Sequence, residues 1–130
     1  MAVRVFLVED MKQVQGAVTD LLSTVGDFDV VAAVRTEAEA KLWLQENPGC
    51  WDLGVIDLVL EQGSGMGVIA DARAQSRGTG ARIVVFSDYA TQGIRQHCRN
   101  LGADAVFGKA EDVQAFASYC AELGGEAVSP

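Results

Sequence analysis

Leu53-Gly54-Val55-Ile56-Asp57, followed by Leu58-Val59-Leu60-Glu61-Gln62-Gly63-Ser64-Gly65, is the stretch that decides the fold. A short apolar run reads as a buried strand, its last residue is a carboxylate, and a glycine-rich loop follows. An acid placed where an apolar strand runs out projects from the carboxyl end of a sheet, which is where open α/β sheets bind ligands. The layout recurs. Val5-Phe6-Leu7-Val8 ends in Glu9-Asp10, Ile83-Val84-Val85-Phe86 in Ser87, and Ala105-Val106-Phe107-Gly108 in Lys109. Three carboxylates, a hydroxyl and an ammonium at strand ends have the chemistry of a phosphoryl-and-metal site.

Working outward, strand and helix periods alternate five times. Strands are predicted over about 3–8, 29–34, 53–57, 82–86 and 104–107. Between them, Val14, Ala17, Val18, Leu21, Leu22 and Val25 form the apolar stripe of a first helix. Thr36, with Glu39 three residues on, reads as the capping box of a second, whose buried face is Ala40, Trp43 and Leu44. A third helix is expected from about Gly67 to Ser76 and a fourth from about Thr91 to Leu101. The fifth starts at Asp112 as cap and carries Val113, Phe116, Ala117 and Cys120 on one face. Five βα units imply a parallel sheet covered by helices on both sides, because parallel crossovers are right-handed and each helix must pack back on the sheet. Residues 1–123 are read as one domain, and 124–130 as a frayed tail or linker stub.

The net charge of -8 at pH 7 argues against a nucleic-acid surface, which needs a basic face, and against docking on anionic lipid. The chain has no apolar run of membrane-spanning length and no signal-peptide pattern, so a cytoplasmic location is expected. Cys50, Cys98 and Cys120 are odd in number and widely spaced, which suits a reducing compartment. Cys98 falls in step with Ile94 and Leu101 as a core residue, and His97 reads as a surface histidine of the fourth helix.

The strand-end acids have a chemistry of their own. Aspartate is a usable nucleophile towards phosphorus and gives an acyl phosphate. Three carboxylates repel an incoming phosphoryl dianion unless a cation intervenes, and Mg²⁺ suits an all-oxygen site that supplies one or two carboxylates. Asp10 and Asp57 are assigned as direct ligands and Glu9 as a ligand through water. Lys109 would offset charge on the phosphoryl oxygens, and Ser87 would donate a hydrogen bond to them.

These residues, with Gly102-Ala103-Asp104 before the fifth strand and Gly65 in the loop after Asp57, resemble the receiver domain of two-component response regulators over essentially the whole chain. The resemblance implies a flavodoxin-like (CheY-like) three-layer sandwich with a five-stranded parallel sheet of order 2-1-3-4-5 and five helices. It also implies Asp57 as phosphoacceptor, the carbonyl of Val59 as a further Mg²⁺ ligand, and a stand-alone module signalling by protein–protein contact. The phosphodonor would be a histidine kinase or phosphotransfer protein. A downstream protein would read the state, and the receiver would be a monomer or a phosphorylation-dependent dimer.

Four positions depart from the family pattern. Glu61 stands where proline is common, and Asp88 replaces a small residue after Ser87; both are expected to modulate the pocket. Ala110 follows Lys109 where proline is frequent, and a cis bond before a non-proline residue costs about 2.5–4 kcal/mol. Val106 takes the place of the aromatic that swings inward in many receivers, while Phe107 has the opposite strand parity. The switch is therefore expected to be small, carried by Ser87 to Ala90, with Tyr89 either the side chain that reorients or a static wall of the pocket. Two other readings compete. An aspartate-nucleophile phosphohydrolase needs a second acid where Val59 stands. A flavodoxin-like flavin-binding module needs a Ser/Thr/Gly loop where the chain has Glu9-Asp10-Met11-Lys12.

Overall fold

The computed structural model describes residues 2–128. Five strands alternate with five helices: β1 Val3–Val8, α1 Lys12–Val25, β2 Phe28–Val34, α2 Glu37–Glu46, β3 Leu53–Ile56, α3 Gly65–Ser76, β4 Arg82–Ser87, α4 Gln92–Leu101, β5 Ala105–Gly108 and α5 Val113–Val128. All strand pairs are parallel, and the sheet order is β2-β1-β3-β4-β5, as the resemblance implied. Chain order reverses between β1 and β3, so a crevice opens where β1, β3 and their loops diverge.

Strand parity sorts the apolar side chains into two cores. Phe6, Val8, Ile56, Ile83, Val85 and Val106 pack with Ala40, Leu44, Val68, Ile69, Ala72 and Cys98 of α2, α3 and α4. Val5, Leu7, Leu53, Val55, Val84 and Phe86 pack with Val18, Leu22, Phe116 and Cys120 of α1 and α5. Phe107 lies on this second side, edge-on to Phe116 at 5.8 Å and opposite Val106, as its parity required. Phe6 stacks on Trp43 at 4.6 Å, and the Trp51 indole lies against Gly54.

The caps decide where the helices begin. Thr36 accepts from Glu39 N–H at 3.1 Å and Thr91 from Ile94 N–H at 3.3 Å, each satisfying a donor the helix leaves over. Ser64 accepts from Met66 N–H, so α3 starts two residues before the expected Gly67. Asp10 does not cap α1: the cap position is Met11, whose N–H is taken by Glu9 Oε2 at 3.0 Å. The Asp112 carboxylate is likewise engaged elsewhere, accepting from Gly108 N–H and Arg95.

Two apolar positions expected in the core are exposed. Ala17 and Val113 instead line an open groove between α1 and α5, next to Lys109. α5 continues past Leu123 through Gly124-Gly125 to Val128. Gly124 is buried beside Phe28 and Gly26, and this packing carries the helix on through two residues of low helix propensity.

Candidate functional site

β1 and β3 are neighbours in register, with Val8 opposite Ile56, and Asp57 N–H donates to the Val8 carbonyl at 2.9 Å. That pairing brings Glu9-Asp10 up to Asp57. Carboxylate oxygens of Glu9, Asp10 and Asp57 all lie within 4.8 Å of one another. On the other side, β5 pairs with β4, with Gly108 opposite Ser87, and Lys109 N–H donates to the Ser87 carbonyl at 3.0 Å. Lys109 thus leaves its strand beside Ser87 and reaches inward. Its Nζ lies 2.5 Å from Glu9 Oε1 and 3.1 Å from Asp57 Oδ2.

The site is buried at its base and open at its mouth. Glu9 is 2% exposed, Asp57 8% and Ser87 fully buried, whereas Glu61, Asp88 and Tyr89 are exposed. Burial pushes the Glu9 carboxyl above its usual range, although Lys109 and the Met11 N–H oppose the rise. For Lys109, burial favours the neutral amine, but Glu9 and Asp57 outweigh it and leave its proton more tightly held than usual.

Asp57 is fixed from three sides. Its Oδ1 accepts from Leu58 N–H at 2.8 Å, its Oδ2 faces Lys109, and Gly65 packs on its backbone. A Cβ at Gly65 would run into the Asp57 carbonyl oxygen, so only glycine lets α3 start this close to the strand end. The Gly65 N–H donates to Leu58 O at 2.9 Å, closing an isolated antiparallel bridge between Val59 and Ser64. Val59 is 53% exposed beside the acids.

An all-oxygen donor set suits a hard divalent cation. Octahedral Mg²⁺ holds its ligands at about 2.0–2.1 Å, so the cluster needs only a small inward rotation or a bridging water to close on one ion. These residues fit that ion.

The model of the response regulator receiver domain family matches residues 5–120. The chain belongs to that family. Among solved structures, a two-component response regulator of the LuxR family from Aurantimonas sp. SI85-9A1 is similar at a TM-score of 0.76 and 25% identity, over 94% of this chain and 87% of that one. The response regulator domain of Thermotoga maritima CheB reaches a TM-score of 0.78 at 18% identity, covering 100% of both chains. A response regulator protein from Burkholderia pseudomallei, solved with a phosphorylated aspartic acid, a calcium ion and citrate, has a TM-score of 0.74 at 21% identity. That match covers 97% of this chain and 73% of that one. Among the described residues, no helix is long and apolar enough to cross a membrane.

In this receiver, the positions that depart from the family pattern have defined surroundings. Glu61 pairs with Arg35 at 3.1 Å. Val106 is 3% exposed, and its carbonyl accepts from Arg95 at 2.8 Å. The Ser87 hydroxyl accepts from Tyr89 N–H at 3.3 Å, while the Tyr89 side chain is 55% exposed. Backbone cis bonds are absent among the described residues, Lys109–Ala110 included.

Two arginines at the rim escaped the sequence reading. Arg95 of α4 donates to the carbonyls of Ala90 and Val106 and pairs with Asp112 at 2.7 Å, tying three segments together. Arg35 donates to the Asp10 carbonyl at 3.0 Å. Its signal was present, since β2 also ends in a polar residue, Arg35 following Val34, and the strand-end rule applies there as it does to the other four strands.

Proposed function

We propose that Asp57 accepts a phosphoryl group from a phosphohistidine of a histidine kinase or phosphotransfer protein in a Mg²⁺-dependent reaction, and that the phosphorylated receiver signals by protein–protein contact. The observation that carries this reading is the environment of Asp57. It is nearly buried, bonded to Lys109 at 3.1 Å, and clustered with two further carboxylates at the carboxyl end of the sheet.

An Asp57 carboxylate oxygen forms the new O–P bond as the donor's P–N bond breaks, and the electron pair stays on the imidazole. Asp10 and Asp57 would hold Mg²⁺ directly, Glu9 through water, and the Val59 carbonyl would complete the protein's share. When bound, the ion screens the acids from the incoming phosphoryl group. Lys109 turns from the carboxylates to a phosphoryl oxygen. Ser87 accepts from Tyr89 through its oxygen, so its own proton remains to donate to another. Catalysis is positioning plus charge stabilisation, and the receiver turns over no external substrate.

Support for this reading over a flavin-binding module comes from the β1–α1 loop, whose Glu9 and Asp10 would repel a flavin phosphate. Incubation with Mg²⁺ and acetyl phosphate should add one phosphoryl group to wild type, mapped to Asp57 after reductive trapping, and none to Asp57→Asn. Equal labelling of both proteins rejects the assignment. Repeated release of phosphate over many turnovers would favour the phosphohydrolase reading instead.

A further inference from the structure

Arg35 leaves the end of β2 and spreads its guanidinium over two loops. Nε donates to the carbonyl oxygen of Asp10 at 3.0 Å, and Nη2 pairs with Glu61 Oε2 at 3.1 Å. The acid pair is held on the same side by two more bonds. Glu9 N–H donates to the Val34 carbonyl at 2.9 Å, and Gln15 Nε2 donates to the Glu9 carbonyl at 2.6 Å. Both carbonyls of Glu9-Asp10 are thus engaged by side chains, and the peptide orientation of the acid pair follows from those bonds. The loop that carries Glu61 is tied to α2 just beyond it: Glu37 N–H donates to the Gln62 carbonyl at 3.1 Å, and Glu37 Oε1 accepts from Ser64 N–H at 2.8 Å.

We infer that Arg35, braced by Glu61, is a positioning residue for Asp10, fixing the β1–α1 peptide that presents its carboxylate to the cation site. The inference rests on the reading of Glu9, Asp10 and Asp57 as that site. It also gives the Glu61 departure a role: the carboxylate is turned onto Arg35 at the rim. Asp10 needs such a restraint more than its neighbours do. Glu9 is locked by Lys109 and Met11, and Asp57 by Leu58 and Lys109.

Charge and positioning predict opposite signs, which makes the inference testable. Arg35 is a cation beside a cation site, so by Coulomb's law its removal should tighten Mg²⁺ binding. If it positions Asp10, its removal loosens binding, because an outer group that orients a ligand commonly contributes tenfold or more to affinity.

The experiment is a Mg²⁺ titration at fixed ionic strength, read by amide chemical shifts of Asp10 and Met11, with thermal stability measured alongside. Arg35→Ala should weaken Mg²⁺ by roughly tenfold, the low end for an orienting group because loss of the cation acts in the other direction. Arg35→Lys should recover only part of that loss, since one ammonium cannot serve both acceptors in the fork geometry. Glu61→Gln keeps an acceptor for Nη2 and should lose less than Arg35→Ala. Equal or tighter binding by Arg35→Ala, or a larger loss in Glu61→Gln than in Arg35→Ala, overturns the inference while leaving the cation site intact. A wild-type protein that binds no Mg²⁺ overturns the site reading and this inference with it.

Discussion

Lys109 and Glu9, 100 positions apart in the chain, meet at 2.5 Å beneath the mouth of the site. The contact joins β5 to β1, which are not neighbours in the sheet, and it places the ammonium between two carboxylates before any ligand arrives. Glu9 is 2% exposed, so water does little to stabilise its charge. The lysine is therefore a resident counter-ion to the two acids. On the proposed function, a divalent cation would take its place and free it for a phosphoryl oxygen.

Removing that counter-ion should destabilise the apo protein and sharpen its response to metal. Lys109→Ala leaves two nearby buried carboxylates without their cation, a change expected to cost about 2–4 kcal/mol. Added Mg²⁺ should then raise the melting temperature of the variant by more than it raises that of wild type. Urea unfolding and thermal melts with and without Mg²⁺ make the comparison. An identical Mg²⁺ response in both proteins would show that Lys109 and the ion do not share the acids.

Gly65→Ala tests the contact behind Asp57. The added methyl meets backbone rather than a flexible side chain, so α3 must shift or the strand end must move. A loss of about 2–4 kcal/mol is expected, in line with overpacking and backbone strain. Labelling by acetyl phosphate should slow even under conditions where the variant is fully folded. Wild-type stability and labelling together would mean that the loop yields without consequence.

Arg4 and Asp52 link β1 to the approach to β3. The Arg4 guanidinium and backbone N–H hold the Asp52 carboxyl below its usual range. A carboxylate depressed in the folded state contributes stability above its unfolded value near 3.8, and that contribution is lost as pH falls through the lower folded value. Asp52→Asn should therefore be less stable than wild type at neutral pH and lose less of its stability on acidification. Both side chains are 44% exposed, so solvent screening keeps the effect small. Parallel acid limbs for the two proteins would contradict it.

The three thiols should separate by accessibility. Cys50 is exposed, whereas Cys98 and Cys120 are buried, and burial pushes the Cys120 thiol up to about 12. One thiol should react promptly with a disulfide reagent at mildly alkaline pH, and all three after denaturation. Cys50→Ser should abolish the prompt phase. Prompt reaction of two thiols in the folded protein would place Cys98 or Cys120 at the surface.

The sheet and the acid cluster were legible because each depends on a local pattern: an apolar run of strand length with a functional group where it stops. Cys98 and Phe107 were legible for the same reason, as periodicity and parity fix the face a residue occupies. Thr36 was legible as a cap, although Glu39 accepts from its hydroxyl rather than closing a box on its backbone N–H. What escaped depends on reach across the fold. Asp10 has the residue type of a cap, but α1 starts one residue later, with Met11 at the cap position and its N–H held by Glu9. Gly124-Gly125 reads as an end to α5, but the helix runs on to Val128 with Gly124 buried beside Phe28. Arg35 and Arg95 act through long forks whose acceptors lie anywhere from 5 to 26 positions away and on several different segments. No spacing rule reports such bonds.

Arg95 also changes what the switch should look like. Val106 offers no ring to swing inward, which alone would confine the response to Ser87 through Ala90. However, Arg95 Nε holds the Ala90 carbonyl at 2.8 Å, Nη1 the Val106 carbonyl at 2.8 Å, and Nη2 the Asp112 carboxylate at 2.7 Å. If phosphoryl oxygens draw Ser87 inward through a charge-assisted hydrogen bond, the Ala90 carbonyl shifts and the rigid guanidinium carries the movement to β5 and the turn before α5. Amide shifts on adding Mg²⁺ and beryllofluoride, a phosphoryl mimic, should therefore be largest at residues 86 to 92, with a second group at 106 to 112 and little beyond. Arg95→Ala should keep the first group and lose the second. Ser87→Ala should lose both. Tyr89, 55% exposed, is expected to reorient with the loop. Large shifts along α5 beyond Asp112 that survive Ser87→Ala would sink this account, because the signal would then bypass both the serine and the arginine.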